Sequence, residues 1–152
     1  MVRAGLSGAI IGFIYVMSLT LLSPFCTLCL TPFLGFGVGY LANQLDQPAA
    51  VSGSLSRGSI AGVMTSFGII LGQMGAMLVV GILVTNFEVF PPVINGLDLS
   101  QFFSGDTEAY WQTTLMLSSI CSIFNLVVVT GLAAAGGAIW FQRKYQQQIG
   151  AL

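Results

Sequence analysis

The chain has 152 residues, 55% hydrophobic and only 6% charged, with four Lys+Arg, five Asp+Glu and no histidine. A water-facing domain normally carries about a quarter charged residues, so this composition excludes an ordinary soluble fold. Four basic residues leave no patch for nucleic acid, and the missing histidine removes the commonest metal ligand and general base.

The length suits a single transmembrane domain over 1–152, an all-α up-down bundle with four crossings at roughly 20 residues each. The first predicted helix covers about 4–22, with Gly8 and Gly12 on one face. It reads as an uncleaved membrane helix, because no small-x-small cleavage pattern follows it. Ser23-Pro24 breaks it. The second helix, about 24–43, carries Gly35, Gly37 and Gly39; Pro32 either kinks it or divides it into a re-entrant piece and a short helix. A kinked crossing is preferred, since unpaired backbone costs several kcal/mol per group in lipid. The small and polar stretch 43–56 is predicted as a loop. The third helix covers about 58–86 and holds Gly68 and Gly72 among six glycines. An outer loop of 87–109 follows: Pro91-Pro92 ends the helix, Asn95-Gly96 suggests a turn, and Asp106 or Thr107 can cap what comes next. The fourth helix covers about 110–142, with Tyr110-Trp111 and Trp140-Phe141 as interfacial aromatics.

Four crossings place the N-terminus, the 43–57 connector and the C-terminus on one side. Those segments hold Arg3, Arg57, Arg143 and Lys144, while Glu88, Asp98, Asp106 and Glu108 fall on the other. The positive-inside rule then puts both termini in the cytoplasm, as in a multi-pass protein of a bacterial-type inner membrane. Small residues four apart recur in every helix, at Gly8/Gly12, Gly35/Gly39, Gly68/Gly72 and Ala133/Gly137. In a bilayer that spacing marks faces where helix backbones touch.

Cys26-Thr27-Leu28-Cys29 is the candidate redox pair. A helix N-terminus favours the thiolate, and the spacing permits an exchangeable disulfide. A Cys-x-Leu-Cys opening the second of four helices resembles the bacterial disulfide-forming membrane oxidoreductases and, in outline, the vitamin K epoxide reductases. That resemblance covers about residues 20–32 and the topology. It implies electron transfer from Cys26 and Cys29 to a bound quinone. The chain departs from the family in two places: 87–112 holds no cysteine pair, and Leu30-Thr31-Pro32-Phe33 offers no basic residue. Cysteine also packs in apolar helices as a small hydrophobe, which is the preferred reading here and for Cys121.

Gln73 and Asn125 fall near the predicted bilayer midplane and read as an interhelical polar clamp rather than a ligand contact. No Asp, Glu, Lys, Arg or His lies within the predicted spans, which argues against ion-coupled transport. No metal site is expected from three cysteines without histidine, or from an acidic loop without EF-hand spacing. No cofactor is predicted unless the redox alternative brings a quinone. The first expectation is therefore a non-enzymatic accessory protein that packs on itself or on other membrane subunits through glycine-rich faces. The alternatives are the thiol–disulfide oxidoreductase and a small uncharged channel or lipid-handling protein.

Overall fold

The computed structural model describes residues 1–22, 27–87, 93–94, 97–98 and 107–149. Its four helices are α1 (Val2–Leu22), α2 (Thr27–Asp46), α3 (Val51–Phe87) and α4 (Thr107–Ile149). Between α3 and α4 lie two short strands, β1 (Val93–Ile94) and β2 (Leu97–Asp98), paired antiparallel with Val93 opposite Asp98 and Ile94 opposite Leu97. They flank Asn95-Gly96, the expected turn, which lies outside the described residues together with Asp106. Three helices are long and apolar enough to cross a membrane, through Val2–Leu19, Val51–Val79 and Ser118–Gln147.

α1 packs chiefly on α3, α3 on α4, and α4 on α2, with lesser contacts of α2 to α1 and α3. α1 and α4 therefore stand at opposite corners. Contacts rising together in number, Gly5 with Ala61, Gly12 with Ile69 and Gly72 with Phe13, show α1 and α3 to be parallel. α2 and α4 are parallel as well, whereas α3 and α4 oppose each other, with Gly58 meeting Ala133 and Gly62 meeting Thr130. The bundle thus runs up, down, up, down.

The interior is made of small side chains. Ala4, Ala42, Ala61, Ala76 and Ala133 are buried, and Ile69, Val16 and Val129 are the largest fully buried apolar side chains. Leu6, Ile10, Phe33, Phe67, Met116 and Phe124 face outward. This inverts the arrangement of a protein folded by exclusion of water, and suits one whose surroundings are as apolar as leucine.

The structure moves several expected boundaries. The connector predicted at 43–56 shrinks to 47–50, because α2 continues to Asp46 and α3 begins at Val51. The stop signal is Gln47-Pro48 rather than Asn43: Gln47 takes a left-handed backbone (φ 43°) and its N–H closes the helix on the Asn43 carbonyl at 2.9 Å. The serine-rich segment after Ala50 is already helical, with the Ser54 N–H bonded to the Ala50 carbonyl at 3.0 Å. At the far end α4 starts at Thr107, shortening the outer loop, and it ends at Ile149 instead of about 142. α2 also runs uninterrupted through Pro32, so it is not split into two pieces. Near the start of a helix, proline removes only one ladder bond.

Left-handed backbone favours glycine over a side chain by about 1 kcal/mol. Gln47→Gly is therefore expected to raise stability by up to about 1 kcal/mol, measured as thermal unfolding in detergent. A loss of stability would show that the Gln47 side chain contributes more than its conformation costs.

Candidate functional site

Buried polar side chains and close backbone contacts meet at the seam between α2 and α4, joined on one side by α3. Four residues of α2 spaced one turn apart meet four of α4 at a constant offset of 94 residues, the separation of the Thr31–Asn125 bond. Thr31 Oγ1 donates to Asn125 Oδ1 at 3.2 Å, both side chains buried. One turn on, a Cβ added to Gly35 would lie 2.6 Å from the Val129 carbonyl oxygen. Gly39 then lies against the Ala133 backbone, with no room for a side chain. The last rung is polar again, Asn43 beside Gly137.

At that last rung Asn43, wholly buried, donates from Nδ2 to the Gly39 carbonyl at 2.9 Å and to the Ser54 carbonyl at 3.1 Å. Ser54 Oγ donates in turn to the Gly137 carbonyl at 2.7 Å. One side chain from α2 and one from α3 thereby tie three helices together. Asn43 Oδ1 is left without a partner among the described residues. Ala133 stands between two helices: its carbonyl faces Gly39 of α2 and Gly58 of α3, and its Cβ would lie 2.7 Å from one on Gly62.

The other candidate glycines take similar positions on the opposite seam. Gly8 faces Thr65 and Val38, and a Cβ on Gly12 would lie 2.9 Å from Ile69 Cγ1. Gly68 lies against the Ala9 backbone, and a Cβ on Gly72 would lie 2.6 Å from the Phe13 carbonyl oxygen. Thr65 is buried here, as is Ser66 beside it in sequence, each hydroxyl bonded at 2.9 Å to the carbonyl one turn back in its own helix. By contrast, Gly37 and Gly131 have nothing within 4 Å of a built Cβ.

Asn125 pairs with Thr31, and no described hydrogen bond joins it to Gln73. Gln73 Oε1 is buried on α3 without a partner among the described residues. Cys26 lies outside the described residues, and of Cys29 only its place in the α2 backbone is described. Cys121 is a free, half-buried thiol one turn from Asn125. Thr31, Asn43 and Ser54 are the seam residues that sequence reasoning missed. For Thr31 and Asn43 the signal was the four-residue rhythm Thr31, Gly35, Gly39, Asn43, which continues the glycine spacing with a polar residue at each end.

The charged residues of the seam's lower end also converge. The N-terminal ammonium pairs with the Asp46 carboxylate, and Arg57 Nη1 donates to the Asp46 carbonyl at 2.9 Å while lying 3.8 Å from its carboxylate. Lys144 Nζ stands 5.1 Å from the ring centre of Trp140. Comparison with known protein families, curated proteins and solved structures finds no match to the chain.

Ala133 is wholly buried against two helices, so enlarging it forces backbones apart. Ala133→Leu is expected to cost about 2–3 kcal/mol in thermal or denaturant unfolding. Gly37→Ala, where space is open, is expected to gain up to about 1 kcal/mol from helix propensity alone. Equal effects at both positions would contradict the packing described.

Proposed function

We propose that the chain is a small integral membrane protein of four crossings, which serves as an accessory or self-associating packing subunit in the bilayer. Support for the fourth crossing comes from α2 itself. Its 20 residues reach about 30 Å, the thickness of a hydrocarbon core, and it stays in parallel register with α4 over about three turns. Support for orientation comes from the charges. Arg3, Asp46 and Arg57 lie at the bundle end toward which α4 carries Arg143 and Lys144, so the positive-inside rule assigns that end and both termini to the cytoplasm.

The glycine seams act in this reading as the bundle's fastening. In lipid there is no water to expel from between helices, and close backbone approach with polar bonds at the ends takes over that role. The observation that carries the packing role is Gly131. It is exposed on α4, with no side chain and no backbone of another described helix within 4 Å of a built Cβ, and the exposed Val127 and Phe124 lie one and two turns before it. A helix-interior glycine costs about 1 kcal/mol relative to alanine, and none of the described residues inside this bundle requires one at that position. A neighbouring membrane helix pressed on the outer face of α4 would.

Gly131→Leu is the test. In mild detergent the native protein should run as an oligomer or with a companion chain. The variant should run as a folded monomer of unchanged or slightly higher thermal stability. A native protein that is a strictly monodisperse monomer and co-purifies with nothing would contradict the proposal.

A further inference from the structure

Close approach on one side of a helix pair leaves a furrow on the other. Where Gly68 lies against the Ala9 backbone, α1 and α3 come together over small residues. The large side chains on either side, Leu6, Ile10 and Ile14 from α1 and Val63, Phe67 and Leu71 from α3, stand up as walls. The resulting outward-facing groove has a volume of about 680 Å³, within the range of ligand clefts. Its walls carry no hydrogen-bonding side chain, so its occupant is an apolar chain.

The groove has a length and a polarity. From Leu6 to Ile14 it covers about 12 Å of helix axis, and from Arg3 about 16 Å, close to half of a 30 Å hydrocarbon core. Arg3 lies on the same stripe of α1, seven residues before Ile10 and eleven before Ile14. Its side chain is exposed and has no ion-pair partner among the described residues, whereas Asp46, the nearby carboxylate, is engaged by the N-terminal ammonium and by Arg57. Arg3, Val2, Leu45 and Asp46 also line a second cleft of about 460 Å³ at this end. An apolar furrow of about 12 Å, with an unpaired cation about one turn beyond its Leu6 end so that the two together span close to one leaflet, matches an anionic amphiphile.

We propose that the α1–α3 groove holds an acyl chain of an anionic phospholipid from the leaflet at the basic end of the bundle, with the lipid phosphate met by Arg3. The proposal requires the chain to be in a bilayer and does not depend on the accessory role, so either can fail without the other. Charge complementarity sets the choice of headgroup: Arg3, Arg57, Arg143 and Lys144 are all at this end, and anionic lipid is drawn to such clusters.

The test uses the full chain in nanodiscs of equal phosphatidylcholine and phosphatidylglycerol, with retained lipid identified by native mass spectrometry. The native protein should keep phosphatidylglycerol in preference. Arg3→Gln should lower that preference by about fivefold, Arg3→Lys should preserve it, and Val63→Trp, which fills the groove from an exposed position, should abolish retention of both lipids. Equal retention of the two lipids by the native protein, or a preference unchanged in Arg3→Gln and Val63→Trp, would overturn the proposal. Displacement of the lipid by inorganic phosphate would also overturn it, by showing a free-anion site. So would a disulfide-linked homodimer of Val63→Cys, which would show a second copy in the groove.

Discussion

Ala133 is the point on which the arrangement turns. Its carbonyl faces a glycine on α2 and a glycine on α3, and its methyl faces a third, so three helices meet where side chains have been reduced to almost nothing. Neither rung next to it along the α2–α4 seam is free to move: Gly35 abuts the Val129 backbone, and Asn43 is bonded across to Ser54. The seam is closed by a polar bond at each end and by backbone in the middle. Within lipid, where apolar surface gains nothing by leaving its surroundings, dispersion contacts and hydrogen bonds of this kind are what distinguish the assembled bundle from separate helices.

The longer consequences follow from helix lengths. α1 and α2 have 21 and 20 residues, about one hydrocarbon thickness each, while α3 and α4 have 37 and 43 and extend beyond it. The long helices oppose one another and form the frame. Each short one lies parallel to a long one across a small-residue seam. The same close approach that buries Gly68 on Ala9 raises the walls of the outer groove, so the interior packing and the proposed lipid site are two sides of one geometry.

Much of the architecture was legible in the residues. Apolar runs gave the number and order of the helices, and at Gly35, Gly39, Gly68 and Gly72 a built Cβ would meet the backbone of a neighbouring helix. What misled was polarity. In so apolar a chain, Asn43 and Ser54 read as connector residues outside the membrane, although both are wholly buried and bonded to carbonyls of neighbouring helices. A polar side chain names no partner. Asn125 could be assigned to its helix but not to its bond with Thr31, because that depends on the 94-residue register between two helices distant in sequence. The abundance of glycine suggested faces to spare on all four helices. The structure uses most of the described ones internally and leaves Gly37 and Gly131 open, because each seam consumes glycine from both partners.

The parallel register of α2 and α4 in lipid is the claim from which the crossings, the charge distribution and the seam all follow. Spin-label distances in nanodiscs test it directly, with the three native cysteines changed to serine and labels at the exposed positions Leu41, Ile120 and Ile139. The structure places Leu41 about one turn from the level of Ile139 and some 22 Å along the axis from that of Ile120. The Leu41–Ile139 distance should therefore be the shorter by a wide margin. Equal distances, or the reverse order, would mean that α2 and α4 do not share a direction through the membrane.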